Sequence, residues 1–265
     1  MRLLRRILIT VAVTLTVIFV GVGWVAPVAL SLYAAKKVPP VARIVPTDLK
    51  DKSVSEIPGT KLAYFGYEFE VPWGDLDETQ TKLLPADKPH KTAVDLHFRS
   101  GLRLWVTALP AHEWLNASDC CVKGAVHTVA SVFGQEVIRS DYNFVKAVYE
   151  FTPNKMHYWA LSPRVHYSEQ GVLVVKSIMP VKAAETGIFN VQNQSQKGFQ
   201  QGNPQVRPDR ILVNLYADDG SVEITFLQKD YKNSAGVTQP EINRIVQSLR
   251  KAPQNESTAP RIAQR

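Results

Sequence analysis

The chain has 265 residues, a formal net charge of +7 and two cysteines. Its basic excess sits at the ends: residues 1–50 carry seven Lys/Arg against one Asp, residues 250–265 four against one Glu, and the stretch between them 20 against 22. The folded part is therefore close to neutral, which excludes a nucleic-acid-binding face, and it is long enough to bury a core without disulfides.

Residues Ile7 to Ala35 contain no charged side chain and follow Arg2, Arg5 and Arg6. A helix rising about 1.5 Å per residue crosses a hydrocarbon core of about 30 Å in about 20 residues. Ile7 to Ala26 supply that span before Pro27, which interrupts the helix or lets it end. The threonines inside it can bond their own helix's carbonyls, and Trp24 and Tyr33 suit the water interface. The expectation is a retained transmembrane anchor over 7–35, with the lipid bilayer as its partner. The alternatives are a buried soluble helix or a cleaved signal peptide. A signal peptide has a shorter apolar region and an A-x-A-like site, of which Ala29-Leu30-Ser31 is a poor version. The basic flank and the short tail 1–6 place the amino terminus in the cytoplasm. The main domain then lies in the periplasm, the extracellular space or a lumen.

Residues 36–59 hold Pro39, Pro40, Pro46 and Pro58, which favour a stiff extended linker. Part of this segment packing as an edge strand is the equal alternative. Residues 60–251 then form one α+β domain, an antiparallel sheet packed with helices. Tyr67, Phe69 and Val71 alternate with Glu68 and Glu70, the period of a strand with one buried face. Thr92 to Phe98 and Leu102 to Ala108 alternate likewise on either side of Ser100-Gly101, a hairpin turn. His97 falls on the polar face.

Cys120 and Cys121 are adjacent, so they do not form a long-range staple. They are ordinary reduced thiols, a vicinal disulfide in an oxidising compartment, or a reactive thiol. For the third reading, Ser118 or Asp119 can cap a helix with the apolar stripe Val122, Val126, Val129 and Phe133. Both sulfurs then lie in its first turn, where backbone N–H groups favour thiolate. Ser140 is a fitting N-cap for a helix from Asp141 to Phe151. Val172 to Met179 is a short apolar run, a central strand or a buried helix, and periodicity does not decide between them. Lys197 to Pro204 reads as a glycine-bearing turn without phosphate-loop spacing.

The carboxyl-terminal third carries the strongest local signals. Ile211 to Tyr216 and Ser221 to Gln228 flank Asp218-Asp219-Gly220, a hairpin. Thr238 and Glu241 make a capping box with Pro240 in the first turn. Ile242, Ile245, Val246 and Leu249 form the stripe of an amphipathic helix lying on a sheet. Residues 252–265 lack apolar mass and read as a disordered tail.

The opening strand Gly66-Tyr67-Glu68-Phe69-Glu70-Val71-Pro72, a meander of hairpins and the final helix from Glu241 to Ser248 resemble the PsbP-like family. The resemblance covers the two ends of the domain and departs over 110–205. It implies an antiparallel sheet between helices and an accessory role in an envelope or thylakoid lumen.

No G-x-S-x-G, H-E-x-x-H, phosphate-binding or dinucleotide-binding motif is present, and the six histidines lack ligand spacing. Asp75, Asp77 and Glu78 read as a solvated turn, since the rest of a calcium loop is missing. Trp105 lies opposite the core face of its strand, beside Arg103 and Thr107, and must meet a second layer or form an interaction surface. No catalytic, metal or cofactor residues are assigned, and no cofactor is expected. The reading is a membrane-anchored, non-enzymatic binding or accessory module whose partner is an envelope protein or a small ligand, not nucleic acid. The alternative is a tethered enzyme, either hydrolytic or thiol-redox through Cys120/Cys121.

Overall fold

A computed structural model describes residues 2–84, 92–116, 120–158, 160, 162–179, 181–228 and 236–252. The expected tail, from 253 onward, and the proposed helix cap at Ser118 or Asp119 lie outside them. The amino-terminal helix does not end at Pro27. Helix α1 (Arg2–Val20) passes through a π-helical turn (Gly21–Val25) into α2 (Ala26–Lys37). A proline removes one helical N–H and crowds the carbonyl four residues back, here that of Gly23. The wider turn absorbs this: the Ala26 N–H reaches back five residues to the Gly21 carbonyl. Residues Thr10–Lys37 are long and apolar enough, by length and composition, to cross a membrane.

The segment 38–59 lies along the domain, its prolines notwithstanding. Pro40–Arg43 form a 3-10 turn that buries Val41 and Ala42. Strand β1 (Thr47–Asp48) then pairs parallel to β7 (Ile188–Gln192) at the sheet edge. Prolines stiffen a chain and remove donors, but they do not keep its apolar side chains out of a core.

Ten further strands follow: β2 (Thr60–Tyr64), β3 (Tyr67–Val71), β4 (Lys82–Leu84), β5 (Thr92–His97), β6 (Leu102–Pro110), β7, β8 (Lys197–Gln201), β9 (Arg210–Ala217), β10 (Gly220–Gln228) and β11 (Arg250–Lys251). Eight make a mixed sheet in the order β1-β7-β8-β9-β10-β6-β5-β4, and β11-β3-β2 make a small antiparallel sheet. The turn expected over 197–204 is corrected: 197–201 is β8, paired with β7 and β9. Close approach is the reason glycine stands in it, because a Cβ at Gly198 would meet the Asn214 carbonyl oxygen at 1.8 Å.

The helices are α3 (Glu113–Asn116), α4 (Cys120–Phe133), α5 (Asp141–Glu150), α6 (Pro163–Ile178), α7 (Val181–Ala184) and α8 (Gln239–Ser248). The undecided run 172–179 is the end of α6. Two cores result, one on each sheet face. On the first face, Leu104, Val106, Val213, Ile224 and Phe226 pack against the small sheet and against Ile242, Ile245 and Val246 of α8. The capping box at Thr238 and Glu241 starts α8, and Glu241 also accepts from the Trp73 indole at 3.0 Å. On the second face, Ile188, Phe199 and Tyr216 join residues of α2, α4, α5 and α6. The Ser140 hydroxyl caps α5 by accepting from the Asn143 N–H.

Candidate functional site

Both cysteines fall in the first turn of α4, whose Val129 is buried against the second core. Among the described residues no group of three His, Cys, Asp or Glu is placed to hold a metal ion. The acidic cluster is a turn: Asp77 accepts from the Thr79 hydroxyl at 2.6 Å and its N–H at 3.0 Å, which holds its carboxyl below the usual range. Asp75 accepts from the Ser100 N–H and ties that turn to the β5–β6 hairpin.

On the second sheet face, the helical core takes in side chains of β7–β9 and, among the described residues, none of β5, β6 or β10, although Asp95, Ser221 and Thr225 on that half are buried. On that half the register sets Trp105 between Asp95 on β5 and Thr225 on β10. Trp105 is 41% exposed, although tryptophan is usually well buried. Beside it Arg103 forks onto Asp95, its Nε at 3.2 Å and its Nη2 closer. His97 Nε2 stands 3.1 Å from the same carboxylate. Asp95 is thus buried beneath its own partners, and His97, expected to be solvated, is half-buried against it. Thr107 and Glu223 continue the face along the next row of the register. The result is a rigid strand platform with one indole at its centre and its charges paired among themselves.

A concavity opens at the other end of the sheet. This cleft of about 290 Å³ lies between β1, β7, β8 and α8. Leu49, Val191 and Val246 give it apolar walls, and Tyr142 closes one side, stacked on Phe199 with ring centroids 5.5 Å apart. Lys52 and Lys197 stand on its rim, and Asn190 there donates to Asp48 at 3.0 Å. The residues come from five separated segments, so no local pattern announces the cleft.

Helix α6 turns polar groups inward. The buried Lys176 ammonium donates to the carbonyls of Ile44, Tyr149 and Phe151 at 2.6–2.8 Å. Burial, helped by the nearby Lys155 charge, pulls its pKa down to about 8. One turn-pair earlier, the buried Glu169 accepts from the His157 N–H at 2.9 Å and faces its Nδ1 at 2.5 Å. The lysine inside VLVVKSIM was the visible signal of this, though its three carbonyl partners lie far off in sequence. No protein-family model matches the chain, and no curated protein or solved structure matches it either.

Proposed function

We propose that this is a single-pass membrane-anchored protein whose extracytoplasmic domain binds a protein partner through the half-sheet around Trp105. The observation that carries the reading is the 41%-exposed indole at the centre of a strand surface that, among the described residues, adds nothing to the helical core. Rigid strands pre-organise such a surface, so little entropy is lost on docking. Tryptophan is also among the residues most enriched at the energetic centre of interfaces. The Asp95–Arg103–His97 cluster frames it with charges that are already satisfied, which leaves apolar contact as the main attraction.

The anchor is supported by the length and composition of Thr10–Lys37 and by the outward-facing apolar side chains along it. A reporter fused after Arg265 that works only in the cytoplasm would overturn the topology. For the binding face, a photo-crosslinking residue at position 107 should capture a discrete partner in native membranes. Trp105→Ala should abolish that adduct, and an undiminished adduct sinks the reading. The cleft between Lys52 and Lys197 favours a second reading, binding of a small polar ligand with an anionic group.

A further inference from the structure

The anchor helix and the domain share a contact that fixes how far the domain stands from the bilayer. Val28, Ser31 and Ala35 form one stripe of α2, and all three are buried. Gln170 of α6 donates to the Ser31 hydroxyl at 2.7 Å, and Arg43 reaches back to the Ala35 carbonyl at 2.9 Å. If Ile7 to Ala26 fill the hydrocarbon core, Val28 lies only about 3 Å and Ser31 about 7.5 Å beyond it along the helix. The headgroup layer is about 5–7.5 Å deep on each side. Whatever covers Val28 and Ser31 therefore sits in the headgroup layer or at its outer boundary, and Gln170 of α6 is bonded to Ser31.

The outer stripe of α6 suits that depth. Tyr167, Val174 and Ile178 recur at helical spacing on one face and are 57%, 60% and 72% exposed. Single exposed apolar residues are ordinary on soluble proteins, but three in one stripe on a helix packed against the anchor are a surface. On α2, Leu30, Leu32 and Tyr33 are exposed as well. Exposed Arg164, Lys36 and Lys37 stand nearby in the same two helices, where anionic headgroups are attracted. Tyrosine in turn favours the interfacial layer.

We propose that the Tyr167–Val174–Ile178 face of α6 lies in the lipid interface, so that α2 and α6 form a two-helix foot seating the domain directly on the membrane. This rests on the anchor reading above. The chain after Lys37 leaves little slack between anchor and domain, because it is already packed at Val41 and Ala42. The foot also fixes which way the rest of the domain faces, since α6 is built into the second core.

The test uses the full chain in nanodiscs of phosphatidylcholine and phosphatidylglycerol, with benzophenylalanine at 174, at 178, or at 83 on the opposite sheet edge. Light should produce lipid adducts at 174 and 178 and none at 83. Liposome flotation after an alkaline wash is read separately. A chain that fails to float refutes the anchor, and the foot with it. A chain that floats but gives no more lipid adduct at 178 than at 83 overturns the foot alone. Adducts at 178 to a second copy of the chain, in place of lipid, overturn it in favour of a dimer contact.

Discussion

Helices α6 and α8 belong to the two cores on opposite sheet faces and bury their polar groups differently. Helix α8 buries Ile242, Ile245 and Val246, and with them only the amides Gln239 and Asn243, each held in side-chain hydrogen bonds. Helix α6 buries His166, Glu169 and Lys176 beside Val172 and Leu173, and exposes Tyr167, Val174 and Ile178. The α8 pattern is what water imposes on a surface helix. The α6 pattern is stable only if its buried polar groups find partners inside, and its apolar face gains from meeting something other than water. The first condition is largely met, by three carbonyls for Lys176 and by His157 for Glu169, although His166 Nδ1 has no hydrogen-bond partner. The comparison teaches that hydropathy predicts burial where the neighbour is another apolar surface, and fails where the neighbour is backbone.

Truncating each core breaks the comparison at its strongest point. Phe226→Ala in the first core removes a fully buried ring and should cost about 3–5 kcal/mol by denaturant unfolding. Lys176→Met in the second keeps most of the side-chain volume, so a purely apolar account expects little change. The loss should instead be about 3 kcal/mol, since three carbonyls lose their donor together. Two of those carbonyls, Tyr149 and Phe151, are at the carboxyl end of α5, where a positive charge is also favoured. A neutral Lys176→Met would show that the second core holds by packing alone.

The same contrast explains what the sequence made legible. The β9–β10 hairpin, the β5–β6 hairpin, α5 with its Ser140 cap and α8 with its capping box each carry their signal within about ten residues. Strands β7 and β8 do not. The inward residues of β8 include Gln200, whose amide is satisfied reciprocally by Gln239 at 2.8 and 2.9 Å. A glutamine looks like surface until its partner, 39 positions away, is known. Strand β1 is two exposed residues among prolines. Of the candidate sites, Trp105 was visible because strand alternation placed it off the core face, whereas the cleft needs the tertiary fold to exist.

Acid sharpens the comparison on the α8 side. Glu70 of β3 accepts from Arg244 of α8 at 2.7 Å and from the Gly59 N–H at 3.1 Å. The Arg244 bond is the main cause of its lowered pKa. A carboxylate lowered in the folded state stabilises fully above its unfolded value, about 4.5, and that contribution is lost as pH falls through the folded value. Glu70→Gln should therefore lower stability by about 1 kcal/mol at pH 7, as half-buried pairs do, and the deficit should shrink below pH 4. A deficit that stays constant with pH would mean the pair contributes through packing instead of charge.

The last contrast lies on the sheet itself. Trp105 lies on the same sheet face as the helical core but, among the described residues, outside it. If its half of the sheet were merely an unfinished surface, Trp105→Ala would be silent in a binding assay. Unfolding should shift by about 1–2 kcal/mol, less than for the fully buried Phe226, because the indole keeps 41% of its surface exposed and packs the rest. Partner binding should fall by about 2 kcal/mol or more, roughly thirtyfold, as truncation of a central tryptophan does. Measuring both on one variant separates the possibilities. Loss of stability without loss of binding would make the indole a lid over Thr225 and Asp95, whereas a loss of binding well beyond the loss of stability would make the Trp105 half of the sheet the working face of the domain.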